Sequence, residues 1–302
     1  MKKILITGGA GFVGSHILEF FKDKGHFCVV IDDLSTGKIE NTNKADLFYR
    51  VDIRDFKGLK EVFKIHKFDA IIHQAAQVSV NKSIKDQVED ANINIIGSIN
   101  LINLCKEFDV NKIIVASTAA VYGNKISLPI KEDDELMPLC PYGISKLAME
   151  NYVKCSGLNY GILRYSNVYG PRQYLSAESG VISIFCNNVK NSISHTVFGS
   201  GEQTRDFIYV EDVAKIVYNY FSSELRNQII NVSSNSSITI NQLISCLSNI
   251  SKKELSVNYK EPRIGEIDHS RLDNSRIKNL KIINCDLINM ENGIKKTLNN
   301  LL

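Results

Sequence analysis

The chain has 302 residues, 44% of them hydrophobic and 23% charged, with a formal charge of +3. That is average globular composition, and it excludes a disordered or fibrous chain. The 36 basic and 33 acidic residues are interspersed without a run of five like charges, so nothing calls for nucleic acid or a membrane surface as partner.

At the start, Met1-Lys2-Lys3 is followed by only three apolar residues before Thr7-Gly8-Gly9, too few for a signal peptide or a membrane span. A cytoplasmic protein is expected. Seven cysteines are scattered without a C-x-x-C pair, which points to reduced core thiols and away from a disulfide framework or a zinc cage.

In chain order, the apolar pattern predicts a strand over 4–7, a helix over 13–24, a strand over 28–31 followed by a loop, a strand over 70–73 and a helix over 92–108. A strand over 112–116, a helix over 142–155 and a strand over 160–164 follow. Short apolar runs alternating with amphipathic stretches imply βαβ units. The expected fold is therefore α/β, a Rossmann-type doubly wound parallel sheet over residues 1–166. Beyond Asn167 the pattern loosens into a helix over 181–189, a short strand at 196–198, a helix over 212–221 and a strand at 229–232. These pieces look too few for a second independent core. A smaller C-terminal substrate-binding lobe, mainly 167–302, is expected to cap the carboxyl ends of the strands, with the chain returning to the first domain around 206–233.

The first strand runs into Gly8-Gly9-Ala10-Gly11-Phe12-Val13-Gly14, which opens the first helix. Glycines at 8, 11 and 14 let the backbone approach a pyrophosphate, and the free amides and positive end of the helix, at Phe12 and Val13, hold the anion. The second strand ends in Asp32-Asp33, 24 residues beyond Gly8, where the adenosine ribose belongs. A carboxylate there repels a 2′-phosphate, so the expected cofactor is NAD. Asp52 and Ile53 are candidates to flank the adenine.

The chemistry is sought at Tyr142, which alone among twelve tyrosines has a lysine four residues on, Lys146. On a helix the two share a face, and the ammonium favours the phenolate. Lowering a phenol from near 10 to about 7 takes roughly 4 kcal/mol, and one lysine at ~5 Å with an effective dielectric of ~20 supplies about 3. The positive ring of the oxidised cofactor is expected to supply the remainder. Upstream, Ser117 and Thr118 place hydroxyls at a carboxyl strand end. A hydroxyl bonded to a substrate oxygen, with a tyrosinate to take its proton, suits oxidation of a carbinol by a nicotinamide.

These residues resemble the extended short-chain dehydrogenase/reductase family and, within it, the nucleotide-sugar epimerase/dehydratase group, most closely the UDP-glucose 4-epimerase-like proteins. The likeness spans nearly the whole chain. It is carried by Thr7 to His16, His73-Gln74-Ala75-Ala76-Gln77, Asn94 before Gly97, Ala120-Val121-Tyr122-Gly123, Tyr142 with Lys146, Arg164 to Gly170, Arg205-Asp206-Phe207 and Pro262-Arg263-Ile264-Gly265. The resemblance implies that Thr118 is the hydroxyl partner, Tyr142 the base, and Lys146 its activator and a ribose ligand supported by Asn94. It also implies that Ala75, Ala76, Gln77, Ser117, Tyr165 and Val168 border the cofactor.

For the substrate it implies Ser79, Asn167 and Val181, with Thr196 to Phe198 beside the uracil, and Arg205 and Arg263 on the diphosphate. Ser270, seven residues after Arg263, stands at the family's size gate and resembles enzymes that admit an N-acetyl group. Dehydratases and decarboxylases of the family carry an acid after the active-site threonine, where this chain has Ala119 and Ala120. The implied activity is C4 epimerisation of a UDP-hexose through a 4-keto sugar, with a homodimer formed by pairing the helices over 92–108 and 142–155. A UDP-glucuronate epimerase, a nucleotide-sugar reductase or a non-catalytic NAD-binding module are the alternatives. Glu266, Cys140 and Gln74 depart from the usual pattern.

Overall fold

A computed structural model describes residues 1–174, 180–262, 267–283 and 286–301. In the first half, the strands are β1 (Lys3–Thr7), β2 (Phe27–Asp32), β3 (Leu47–Arg50), β4 (Ala70–His73), β5 (Lys112–Thr118) and β6 (Asn159–Tyr165). Their helices are α1 (Phe12–Asp23), α2 (Phe56–Ile65), α3 (Val80–Lys85), α4 (Gln87–Ala91), α5 (Gly97–Glu107) and α6 (Pro141–Lys154). In the second half, β7 (Asn167–Tyr169), α7 (Val181–Asn191), β8 (His195–Phe198), β9 (Thr204–Tyr209) and α8 (Val210–Ser222) lead to β10 (Gln228–Val232). Last come β11 (Ser237–Thr239), α9 (Ile240–Ser251), β12 (Val257–Lys260), α10 (Ser275–Asn279) and α11 (Met290–Leu301).

Seven parallel strands form the main sheet in the order β10-β6-β5-β4-β1-β2-β3. The alternation of a strand explains how both faces are covered. Ile4, Ile6, Cys28, Val30 and Ile72 point to one side, against α1 and α8, while Leu5, Val29, Ile31, Ile71 and Ile113 point to the other, against α2, α5 and α6. The order reverses between β1 and β4, and their carboxyl ends make the crevice in which open α/β sheets bind ligands. Pairing β10 with β6 brings the late strand over 229–232 back into this sheet.

The second half is more than a cap, and here the sequence reading is corrected. Tyr169, Ile182, Phe185, Val197, Phe207, Tyr209, Leu243, Leu247 and Ile294 form a separate buried cluster. It is built by α7, α9 and α11 around the small sheets β11-β9-β7 and β12-β8. The amphipathic helices over 240–251 and 290–301, which the strand-seeking pattern passes over, supply the missing apolar surface.

The helix predicted over 92–108 also differs. It begins at Gln87 as α4, widens into a π-helical turn over Asn92–Ile96 and continues as α5. Among the described residues no helix is long and apolar enough to cross a membrane. The described cysteines are free, with Cys28, Cys105 and Cys186 buried, Cys140 and Cys246 half-buried and Cys155 exposed.

Candidate active site

The crevice is built first by glycine. Gly8 follows β1 with a φ of +69°, and a Cβ there would lie 2.6 Å from the Ala75 amide nitrogen at the end of β4. A Cβ on Gly14 would lie 2.1 Å from the Gly8 carbonyl. Only hydrogen fits at either place, so the turn brings bare backbone to the start of α1. The first-turn amides of that helix have no acceptor of their own, and no side chain caps them at Gly11. This is a preformed anion cradle, and Phe12 and Val13 lie in it.

Asp32 closes the cradle from the adjacent strand. Its two carboxylate oxygens accept the Ala10 N–H at 3.0 Å and the Leu34 N–H at 2.9 Å, and burial pushes its pKa up. Asp33 is tied to Ser35. Asn41, which the sequence reading missed, donates from Nδ2 to the Ala10 carbonyl at 2.8 Å and holds the loop after β2 against the glycine turn. Asp52 turns to Arg54, whose hydrogen bonds lower its pKa, and Ile53 is buried under Gly97.

A chain of hydrogen bonds links this cradle to α6. Thr7 Oγ1 lies 2.7 Å from His73 Nδ1, and His73 Nε2 lies 2.9 Å from Ser98 Oγ. Ser98 spends its proton on the Asn94 carbonyl, so the imidazole is assigned the Nε2–H tautomer with Nδ1 accepting from Thr7. Burial, first, and then the Lys146 charge lower the His73 pKa to about 3. It is a neutral relay between two strands.

Asn94 lies in the π-turn and is 2% exposed. Its Oδ1 accepts the Gln77 N–H, and its Nδ2 faces the Gln77 carbonyl, Asp90 Oδ1 and Ser145 Oγ at 3.0 to 3.1 Å. It therefore reaches Ser145, the neighbour of the lysine it was expected to support. Ser79, expected to meet substrate, caps the N-terminus of α3.

Tyr142 and Lys146 occupy successive turns of α6, and the Thr118 side chain at the end of β5 stands close enough to the Tyr142 phenol to influence its ionisation. Here the electrostatic expectation is corrected. Burial dominates and pushes the Tyr142 phenol up to about 12, opposed by the Thr118 hydroxyl and reinforced by Cys140 and Asp90. Burial likewise lowers Lys146 to about 8, with Glu150 and Asp90 raising it. The lysine shares the desolvation of the phenol it was expected to activate, so a simple Coulomb sum in a high dielectric overstates the help it gives.

Ser117 is also corrected. Its hydroxyl is buried and donates to Glu150 Oε1 at 2.5 Å, turned to the interior and not to the crevice. Glu150 takes a bidentate pair from Arg164, with Nε at 2.9 Å and Nη2 at 2.7 Å, and both side chains are essentially fully buried. The Tyr122 hydroxyl and the Glu132 main-chain carbonyl accept from Nη1 of the guanidinium at 2.8 and 3.0 Å. The motif likeness included Arg164 and Tyr122, but only burial shows their task.

Tyr165 is buried and donates to Gln74 Oε1 at 3.3 Å, and the buried Gln74 Nε2 just beyond β4 has no partner among the described residues. Ala75 and Ala76 adjoin it, and Val168 packs beneath. On the other lobe, Asn167 Nδ2 donates to the Asp206 carbonyl at 3.0 Å, next to Arg205, and Ser270 N–H donates to the Thr204 carbonyl at 3.2 Å. Asp206 itself is buried on Ser234, Ser166 and Leu272, and burial raises it to about 6. Thr196 and Phe198 lie on β8 and Val181 opens α7. An open hollow of about 710 Å³ is lined by Phe198, Tyr259, Lys260 and Glu261. Arg263 and Glu266 lie outside the described residues.

Residues 4–233 match the NAD dependent epimerase/dehydratase family. The chain belongs to this family, whose cofactor is NAD. It is 39% identical to a protein of Methanocaldococcus jannaschii provisionally named a UDP-glucose 4-epimerase, over 98% of this chain and 97% of that one. The Thermotoga maritima UDP-glucose 4-epimerase solved with UDP-glucose superposes with a TM-score of 0.93 at 36% identity, covering 99% of this chain and 98% of that one. The UDP-N-acetylglucosamine 4-epimerase of Methanobrevibacter ruminantium, in complex with UDP-N-acetylmuramic acid, gives 0.93 at 35% identity, with the same coverage.

The cradle fits this cofactor: a Cβ would fill it at Gly8 and Gly14, and the uncapped amides suit its pyrophosphate. Gly14→Ala is expected to reduce NAD co-purifying with the protein to below about a tenth of the wild-type content, measured on the nucleotide released by acid. Stoichiometric NAD in that variant would refute the cradle.

Proposed function

We propose that this enzyme interconverts the C4 epimers of a UDP-hexose through a 4-keto sugar. The single observation that carries the reading is the convergence of Thr118, at the carboxyl end of β5, with the buried phenol of Tyr142 on α6, with Lys146 one turn further along the same helix and no acid at Ala119 or Ala120. A proton acceptor is present, whereas the extra acid that elimination of water requires is missing from the two positions after the threonine.

Gly8, Gly11 and Gly14 would hold the pyrophosphate of NAD, Asp32 and Asp33 the adenosine ribose, and Lys146 the ribose beside the reacting carbons. NAD supplies, when bound, the reversible hydride acceptor and a positive ring. Tyr142 takes the proton of the C4 hydroxyl, and Thr118 shares that oxygen through its hydroxyl. Lys146 steadies the phenolate. With the phenol near 12, Tyr142 rests protonated, and proton removal begins only once positive charge is brought to its face. The same phenol returns the proton after the keto sugar has turned its other face.

Arg205 and Asn167, with Arg263, would grip the diphosphate, and the hollow beside Phe198 suits a flat base. Binding energy spent there leaves the sugar free to rotate. The half-buried Ser270 beside β9 leaves room at the expected size gate, which favours N-acetylated hexoses as well as UDP-glucose.

The partner proposed for the enzyme is a second copy of itself. Val80, Ile84, Val88, Ile96, Ile144 and Tyr152 all stand exposed on α3, α4, the π-turn and α6, an apolar face suited to pairing helices. Light scattering is expected to give twice the 33.9 kDa chain mass, and a monomer would rule the pairing out.

Purified protein without added cofactor is expected to convert UDP-glucose into UDP-galactose. Tyr142→Phe should lower kcat by about 10²- to 10⁴-fold with the NAD content unchanged. Failure to form a C4 epimer from any UDP-hexose, or near-wild-type turnover by Tyr142→Phe, would overturn the assignment. In the same assay Ser270→Tyr is expected to lose at least about tenfold in kcat/KM on UDP-N-acetylglucosamine and to keep its rate on UDP-glucose. Equal loss on both sugars speaks against the gate.

A further inference from the structure

Asp90 is an acid that neither the motifs nor the proposed reaction uses. It sits in α4 and is 1% exposed. Its Oδ1 accepts from Gln77 Nε2 at 2.7 Å and from Asn94 Nδ2 at 3.1 Å, both neutral amides. A buried carboxylate held by neutral donors is costly, so a charge here calls for a reason. Gln77 also bonds the Ser79 carbonyl with Nε2 and accepts the Ser79 N–H with Oε1. Ser79 caps α3, and Ser83 of α3 accepts the N–H of Tyr142 at 3.1 Å.

Asp90 thus joins two routes to the catalytic helix. One runs through Asn94 to Ser145, whose hydroxyl donates to the Tyr142 carbonyl. The other runs through Gln77, Ser79 and α3 to the Tyr142 amide. We propose that Asp90 is a positioning residue for Tyr142 and Lys146: its carboxylate ties both routes together and supplies a counter-charge to the Lys146 ammonium. The inference rests on Tyr142 being the base.

The groups around this pair are Asp90 from α4, Lys146 and Glu150 from α6, Thr118 from β5, the neutral His73 from β4, and Cys140 ahead of α6. Negative charge at Asp90 disfavours the phenolate and favours the ammonium, so it raises both titrations. Removing the charge moves both downward, whereas losing a hydrogen bond alone has no reason to move the two in step.

The test compares the NAD-loaded wild type with Asp90→Asn, which keeps an acceptor for both amides, and with Asp90→Leu, which keeps neither. Asp90→Asn is expected to shift the acid and alkaline limbs of the kcat profile, and the Tyr142 phenolate absorbance titration read against the matching Tyr142→Phe variant, to lower pH by at least about half a unit. KM for the UDP-sugar should stay within about threefold, since Asp90 touches no substrate. Asp90→Leu should show the same shift with kcat lower by a further factor of about ten.

A phenol titration in Asp90→Asn that coincides with wild type, or an Asp90→Leu enzyme as fast as Asp90→Asn, overturns the inference. If Asp90→Leu does not fold, Asp90→Ala, which likewise keeps neither bond and no charge, takes its place. Should the protein turn over no UDP-sugar, the epimerase reading fails while the absorbance titration still decides the role of Asp90.

Discussion

One buried side-chain amide constrains the site more than any other group. Asn94 bonds the main chain of Gln77 in both directions and reaches Asp90 and Ser145 besides. A buried polar group left without a partner costs about 1–3 kcal/mol. The loop after β4, the π-turn and the start of α6 therefore cannot move separately without stranding at least one donor or acceptor. The wide turn over Asn92–Ile96 is what the helix gives up to place this amide, and Ser98 covers the freed Asn94 carbonyl.

A second constraint lies behind α6. Glu150 and Arg164 are buried together, with Ser117, Tyr122 and Glu132 completing their bonds. Breaking such a pair by removing one member typically costs about 3–5 kcal/mol, because the other charge is stranded. The pair fixes the carboxyl end of β5, which carries Thr118, to the helix that carries Tyr142. It also sets Glu150 one turn beyond Lys146, where its charge, like that of Asp90, favours the ammonium against burial. Desolvation and these charges together decide protonation in the crevice.

The motifs were legible because each is local. Glycines at a strand end, an acid at the next strand end, and a tyrosine with a lysine one turn on are read from spacing, and they fall where the order of β1, β2 and β4 requires. Gly14 was legible for the same reason, since the clash it avoids is with Gly8 only six residues away. His73 and Glu150 were not, because their partners lie 14 to 66 residues off in sequence, and Asp90 was not, because its local bond to Asn94 gains meaning only with the one that crosses 13 residues to Gln77. Ser117 was misread because a hydroxyl at a strand end faces either the crevice or the interior, and register alone does not say which.

From the residues alone came the α/β class, the parallel sheet, the glycine cradle and the tyrosine–lysine pair on one helix face, all set by short-range periodicity and backbone sterics. Only tertiary structure decided that the second half has a core of its own, that β10 rejoins the main sheet, and that burial holds Tyr142 near 12 and Lys146 near 8. Those outcomes depend on which distant surfaces exclude water from one another, and water exclusion belongs to the assembled fold and not to any segment of it.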